Sequence, residues 1–210
     1  MRIVFFVIAV LLQASAFAHP ADELVAGLNE RLTVWRKNAL SPKENAEARK
    51  IHQAFERVKA VAGVTHPVTL VVVDESTDAF AQSFVGETIV VNVTLARSSV
   101  DLMTFILAHE LGHVLKHDVM AGLALVVAHL PTDASGAALE GHVQTLLPKF
   151  AALSHRFEFE ADQFAAVTVI EMGLSVKDAT TFFAGLASGD EPSISHPAPR
   201  ARSVKLARFR

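Results

Sequence analysis

The chain has no cysteine among its 210 residues. It can form no disulfide, and it cannot hold a metal ion through thiolates as many structural zinc sites do. A tightly bound transition metal would need histidine and carboxylate ligands instead. A chain of this length can bury a core large enough to fold without disulfides, so the absence of cysteine does not argue against an exported protein.

Long stretches of one charge are also absent. The 19 basic and 22 acidic residues leave a net charge of −3, and no basic run marks a surface for phosphate backbones. We therefore expect no nucleic-acid partner. Because 51% of the residues are hydrophobic, the composition is that of a globular protein and not of a disordered one.

The chain lacks an apolar run of the roughly 20 residues that span a bilayer. The N-terminal segment instead has a basic Arg2, an apolar run over Ile3–Leu12 and then Ala16-Phe17-Ala18, the order of a secretory signal peptide and its cleavage site. We predict a signal peptide over residues 1–18, a mature chain from His19, and export, most simply to the periplasm or by secretion. The alternative is an uncleaved membrane anchor.

The mature chain is predicted to be one mostly helical α+β domain over residues 19–210, with N-terminal helices over 19–63 and a catalytic core over 64–210. Apolar residues at helical spacing predict the first elements, and β-branched runs predict two strands. The first two predicted helices are 22–37, with the apolar face Leu24, Leu28, Leu32 and Trp35, and a helix from the capping sequence Ser41, Pro42, Glu44 to Gly63. The predicted strands follow at 68–73 and 88–93. The remaining predicted helices run from the cap pair Ser98 and Asp101 to Asp118, over 138–151, over 154–172 before Gly173 and from 175, and a basic helix closes the chain.

The apolar run "VMAGLALVVAHL" at 119–130 is twelve residues long. This is too short for a membrane-spanning helix, which needs about 20 residues. We expect the segment to be buried or to lie at an interface. A peripheral contact with a membrane surface is the alternative.

The sequence "LAHELGHVLKHD" at 107–118 is rich in potential metal ligands. His109 and His113 are four residues apart, so on a helix their imidazoles lie one above the other and can bind one zinc ion. Glu110 lies beside them and can act as the base that takes a proton from the attacking water. His117 is eight residues from His109, about 12 Å along the helix axis, so it cannot bind the same ion. We expect it to lie beside the ligands or to have a structural role.

A catalytic zinc site has three protein ligands and one open position. The best source of the third ligand is "SHRFEFEADQFAA" at 154–166. Glu158 can bind the metal, and Asp162, one helical turn later, can accept a hydrogen bond from a ligand histidine. Ala161 and Ala165 share this helical face and allow close packing on the histidine helix. Either motif alone also occurs by chance in helices; together they predict a catalytic zinc site.

Four segments, in chain order, resemble those of the HtpX-like and BepA-like zinc metallopeptidases, gluzincins related to the CAAX prenyl protease 1 group. The resemblance extends from about residue 45 to the end of the chain. It implies a zincin-like α+β fold, mostly helical with a small sheet, one zinc ion per chain and hydrolysis of peptide bonds. The segments are "DAFAQSFVGETIVVNVTL" at 78–95, "DLMTFILAHELGHVLKHD" at 101–118, "SHRFEFEAD" at 154–162 and "SHPAPRAR" at 195–202.

The resemblance also implies roles for individual residues. His109, His113 and Glu158 would be the zinc ligands and Glu110 the catalytic base, with Asp162 supporting a ligand. The terminal block would bring His196 to the cleft, where it either occupies the fourth metal position at rest or faces the substrate carbonyl. His196 or Arg202 would donate a hydrogen bond to the oxyanion.

The family's substrates bind as an added strand at the edge of the sheet, in front of the active helix. The resemblance assigns this edge to the segment near Val85–Val93, and pairing through the backbone would make cleavage depend little on substrate sequence. We therefore expect an exported zinc endopeptidase that hydrolyses unfolded or misassembled envelope proteins. The alternative is a chaperone-like or binding protein whose zinc site is structural or permanently blocked.

Overall fold

The computed structural model describes residues 20–75, 80–129, 136–186 and 191–209. The predicted signal peptide and the predicted start at His19 lie outside these residues. The described part is mostly helical and has one small sheet, as the sequence predicts. Its elements are α1 Pro20–Lys37, α2 Ala46–Val61, β1 Thr69–Val73, β2 Ala81–Phe84, β3 Thr88–Asn92, a 3-10 helix Val93–Arg97, α3 Val100–Leu115, α4 Asp118–His129, α5 Gly136–Glu171, α6 Lys177–Gly185 and α7 Pro199–Leu206.

Helix α2 begins later than its sequence predicts. The side chain of Asn45 is the cap, because its oxygen accepts a hydrogen bond from the Ala48 N–H at 2.8 Å. The predicted start at Ser41 is wrong because that hydroxyl accepts from the Lys43 N–H within a separate turn. The helix ends before Gly63, whose φ of 67° is left-handed, as predicted.

The sheet has the order β1-β3-β2, with β3 parallel to β1 and antiparallel to β2. The sequence predicts β1 and β3 but not β2. The expected edge at Val85–Val93 is wrong, because β3 lies between the other two strands and all five of its residues are buried. The edge strand that neighbours α3 is β2.

The two faces of the sheet pack against different helices. On one face, Ile89 and Val91 join a core formed mainly with α2, α3 and the second half of α5. On the other face, Val90 and Phe84 pack with residues of α1, α4 and the first half of α5. Trp35 of α1 contacts Phe84 edge to face at 5.2 Å, and Leu28, Leu32 and Trp35 of the predicted apolar face are buried against the sheet.

The cap of helix α3 lies one residue after the predicted cap, so the helix begins at Val100. Ser99, and not Ser98, accepts the hydrogen bond of the Leu102 N–H, at 3.2 Å. Ser98 instead ends the 3-10 helix, and the carboxylate of Asp101 accepts from the Ser175 N–H. The predicted end at Asp118 is also wrong, because α3 ends at Leu115 and a bend of 48° separates it from α4.

Helix α4 is apolar but only partly covered. Val126 and Asp118 are buried, whereas Met120 and Val127 are 55% and 50% exposed. Within the described ranges, no single helix is both long and apolar enough to cross a bilayer; α3 and α4 taken together meet this test only as a bent pair. The segment thus lies at the surface of the domain, in part against α5.

Helix α5 is continuous over 36 residues, although the sequence predicts two helices. The predicted break between 151 and 154 contains neither glycine nor proline, and Pro148 is accommodated inside the helix. Gly173, with φ of 73°, follows the helix as predicted. Packing of α5 along α3 and α4 stabilises the long helix.

Candidate metal centre

Helices α3 and α5 approach each other closely at Gly112. A Cβ atom at this position would lie 3.3 Å from the Cα of Ala161 and 3.2 Å from a ring atom of Phe164. Ala161 and Ala165 are fully buried, as the close packing of small residues predicts. This contact brings the histidine face of α3 to within reach of the Glu158 carboxylate.

Three predicted ligands meet in the buried space between the two helices. The Nε2 atoms of His109 and His113 are 3.1 Å apart. The carboxylate of Glu158 lies 3.5 Å from the first nitrogen and 3.4 Å from the second. These residues are the group of the described part that could hold a metal ion, with all ligand atoms within 4.8 Å of one another.

The other nitrogen of each ring faces a carboxylate. His113 Nδ1 lies 2.8 Å from Asp118 and His109 Nδ1 lies 3.1 Å from Asp162. The Asp118 carboxylate accepts a hydrogen bond from the Nδ1–H of His113, and Asp162 forms an ion pair with Nδ1 of His109, so the Nε2 atoms of both rings are left to supply lone pairs. The sequence predicts the contact of Asp162 but not that of Asp118.

The arrangement fits a zinc ion. Two imidazole nitrogens and a carboxylate oxygen are ligands that zinc prefers, and at its usual bond lengths tetrahedral ligand atoms are separated by about 3.4 Å. The two Nε2 atoms are 3.1 Å apart, close to that value, and each has one of the two Glu158 oxygens at 3.4 or 3.5 Å. Without a cation or protons between them, the two nitrogen lone pairs and the carboxylate would repel one another at these distances.

The charges of the metal-free centre follow from its contacts. Burial alone would raise the pKa of Glu158, but Arg202 and the two histidines hold it well below its ordinary value. Burial would lower the pKa of His113, but Asp118 and Glu158 raise it to about 10. The pKa of His109 is raised as well, since its carboxylate neighbours outweigh the effect of burial. Protons therefore hold the positions that a cation would take.

Arg202 is brought to the centre, as predicted. Its Nη1 lies 2.8 Å from Glu158, and its Nε and Nη2 donate to the two oxygens of Asp162 at 2.8 and 2.6 Å. The guanidinium also stacks on Phe183 at 4.0 Å. Because all three of its nitrogens face carboxylates, the side chain is held where it fixes Glu158 and Asp162.

Glu110 is buried next to His109 on α3. Its negative charge contributes to the raised pKa values of His113 and Arg202, so the carboxylate lies within electrostatic reach of the centre. Of the two roles predicted for His117, its position fits the structural one. It is exposed with φ of 54°, in the turn that ends α3 and starts α4.

His196 reaches the cleft from the loop before α7. Its Nε2 lies 3.6 Å from an oxygen of Glu158, and its side chain is 47% exposed. It does not belong to the compact ligand group formed by His109, His113 and Glu158. Its place beside a ligand, at the open side of the centre, agrees with the position that the resemblance implies.

Comparison with known proteins gives one clear match. The model of peptidase family M48 matches residues 45–209, which include all the residues of the centre described above. No curated protein and no solved structure matches the chain. The match confirms the resemblance to the HtpX-like and BepA-like metallopeptidases. The chain therefore belongs to peptidase family M48, a family of metallopeptidases.

Proposed function

We propose that this protein is an exported zinc endopeptidase that hydrolyses peptide bonds in unfolded or misassembled proteins of the cell envelope. The observation that carries the proposal is the buried group of His109, His113 and Glu158, whose ligand atoms lie within 4.8 Å of one another. Membership of a metallopeptidase family supplies the reaction class. The signal-peptide pattern at residues 1–18 supports export.

A bound zinc ion would supply Lewis acidity and lower the pKa of water. The protein's own contribution begins with Glu110, which accepts the proton of the attacking water and then donates it to the leaving amine. The buried position of Glu110 on α3, one residue from His109, suits this role. Asp118 and Asp162 keep the ligand rings oriented, and Arg202 holds the carboxylates of Glu158 and Asp162 in place.

For His196 we propose one of two roles. The imidazole either occupies the fourth metal position at rest or donates a hydrogen bond to the substrate carbonyl. The distance of 3.6 Å between its Nε2 and Glu158 supports both. Arg202 is less suited to contact the substrate oxyanion, since each of its nitrogens already faces a carboxylate.

The substrate would bind along β2 and not along the central strand β3. The Asn92 N–H donates to the Phe80 carbonyl, so in this antiparallel pairing Gln82 and Phe84 also face β3. The backbone groups of Ala81 and Ser83 then point away from β3. An extended peptide can pair with these groups beside α3, and its sequence would matter little.

We further propose that α4 makes a peripheral contact with a membrane surface. Its exposed Met120 and Val127, and the absence of charge between Asp118 and His129, support this contact. Flotation of the protein with phospholipid vesicles tests it, with Val127→Asp as the variant that should no longer float. Equal flotation of the two proteins would contradict the contact.

Metal analysis combined with a protease assay tests the main proposal. The purified protein should contain one zinc ion per chain and should digest casein, and a chelator should abolish digestion until zinc is restored. Glu110→Gln separates this enzyme from a chaperone-like protein with a structural or blocked zinc site. Loss of cleavage with zinc retained supports the enzyme, whereas unchanged function in that variant supports the chaperone-like protein.

A further inference from the structure

The loop that carries His196 contains a closed turn. The Ser193 N–H donates to the His196 carbonyl at 2.9 Å, and the His196 N–H donates to the Ser193 hydroxyl at 3.0 Å. We call the segment Ser193–His196 the His196 turn. Within it, the Ser195 hydroxyl lies 2.8 Å from His196 Nδ1, so Nε2 is the nitrogen left to face Glu158.

Two side chains of α5 bind this turn to the helix. The Ser154 hydroxyl donates to the Ser195 carbonyl at 2.7 Å, and His155 Nε2 donates to the Ser193 carbonyl at 2.7 Å. The first distance is typical of an O–H···O bond, and the second is at the short end of the range for an N–H···O bond. Ser154 and His155 precede Glu158 by four and three residues on α5. One helix therefore sets the position of the Glu158 carboxylate and of the turn that faces it.

We propose that Ser154 and His155 are positioning residues that hold the His196 turn over the metal centre. A serine- and proline-rich loop would otherwise sample many conformations, because few buried contacts oppose its motion. With both hydrogen bonds formed, His196 Nε2 stays within reach of Glu158. When they break, the turn can move away and uncover the centre. The strength of these two hydrogen bonds therefore sets the fraction of time that His196 spends at the centre. The effect of this position on turnover rests on the proposed function, whereas the position itself does not.

Hydrogen exchange of the turn tests this proposal without any need for metal or turnover. Ser154→Ala and His155→Ala should each speed amide exchange in residues 191–198 by roughly 2- to 10-fold, the effect of losing one hydrogen bond. Exchange in α3 should not change. His155→Gln keeps a side-chain N–H donor and should restore much of the protection. Ser203→Ala is the matched control, because it also removes a hydroxyl-to-carbonyl bond, to Thr180, but not to the turn.

The second measurement is turnover in a double-mutant cycle. Ser154→Ala should change kcat in the same direction as His196→Ala, and it should have little further effect in a chain that already lacks His196. Fully additive effects, or unchanged exchange at 191–198 in both alanine variants, would overturn the proposal. An equally large increase in the amide exchange rate throughout α3 and α5 would also overturn the proposal, since it indicates general destabilisation. If the chain cleaves no peptide, the proposed function fails while the exchange result still decides the role of the two residues.

Discussion

Asp118 accepts a hydrogen bond from Nδ1 of His113 at 2.8 Å, although it belongs to the helix after the one that carries the histidine. The bond leaves Nε2 of His113 facing His109 and Glu158. A carboxylate behind a ligand histidine fixes the ring and increases its basicity. The first residue of α4 thereby contributes to a centre built from α3 and α5.

We expect Asp118→Asn to weaken zinc binding by roughly 10- to 100-fold, the usual cost of losing such a supporting carboxylate. The amide can still accept one hydrogen bond, but it no longer carries the charge that stabilises the proton on Nδ1. Competition titration with a chelating dye measures the change. Asp101→Asn is the control, because its carboxylate lies at the other end of α3, where it accepts from Ser175. Equal affinities in the two variants would contradict the role of Asp118.

Glu158→Gln should lower zinc affinity by more than the roughly 100-fold upper cost of a lost supporting residue, since a charged ligand becomes neutral. The change also removes one of the carboxylate partners of the buried Arg202 side chain. Glu160→Gln is a matched control two residues away, where the carboxylate pairs with Lys116. Full zinc occupancy and normal activity of Glu158→Gln would show that the ligand is another residue.

Glu110→Gln should retain zinc and the fold but lose turnover by at least roughly 10²- to 10⁴-fold, the range for removal of a general base. The loss should be larger if the same group also donates to the leaving amine. Metal content, thermal unfolding and casein digestion, measured on one preparation, separate the effects. Near-normal rates would mean that another group moves the proton.

Zinc binding should become weaker as the pH falls. In the metal-free protein the pKa of His113 is raised to about 10, so at neutral pH the ring is protonated and must lose a proton to bind the ion. Stability that depends on this protonated ring is present at low pH and is lost as pH rises through about 10. Calorimetric titration with zinc in two buffers of different ionisation enthalpy gives the number of protons released. Equal heats in both buffers would contradict this expectation.

The ligands of the centre are predictable from sequence because they lie on two regular helices. Spacing of four residues places His109 and His113 on one face, and the same rule relates Glu158 to Asp162. The helix of these acids is longer than predicted, but its continuity does not change which residues share a face. Residue spacing is therefore enough to predict the ligands, even when the ends of the helix are predicted wrongly.

Other features depend on contacts that are distant in sequence. Strand β2 reads "AQSF", which has no β-branched residue, and its pairing with β3 gives it a strand conformation. The contact of Asp118 depends on the left-handed conformation of His117, which local sequence does not predict for a histidine. The sequence also does not predict which strand lies at the edge of the sheet, because strand order is a property of the whole fold.

His196→Ala should leave zinc in place, since the three ligands of the compact group remain. Turnover should nevertheless change, because the imidazole Nε2 lies 3.6 Å from Glu158 at the open side of the centre. An increase would identify His196 as a resting ligand that blocks the fourth position. A decrease, of roughly 10²- to 10³-fold if the ring is a preorganised donor to the oxyanion, would identify a contact with the substrate carbonyl.

The resting and substrate-contact roles of His196 also differ in how they affect KM and kcat. Removal of a blocking ligand makes the centre accessible before substrate binds, so it should lower KM. Removal of a donor that acts only in the transition state should lower kcat and kcat/KM equally. His155→Gln is a useful comparison, because it keeps His196 and a side-chain N–H donor for the carbonyl of Ser193. Unchanged kinetics in His196→Ala, together with an experimental structure in which this side chain is far from the metal, would exclude both roles.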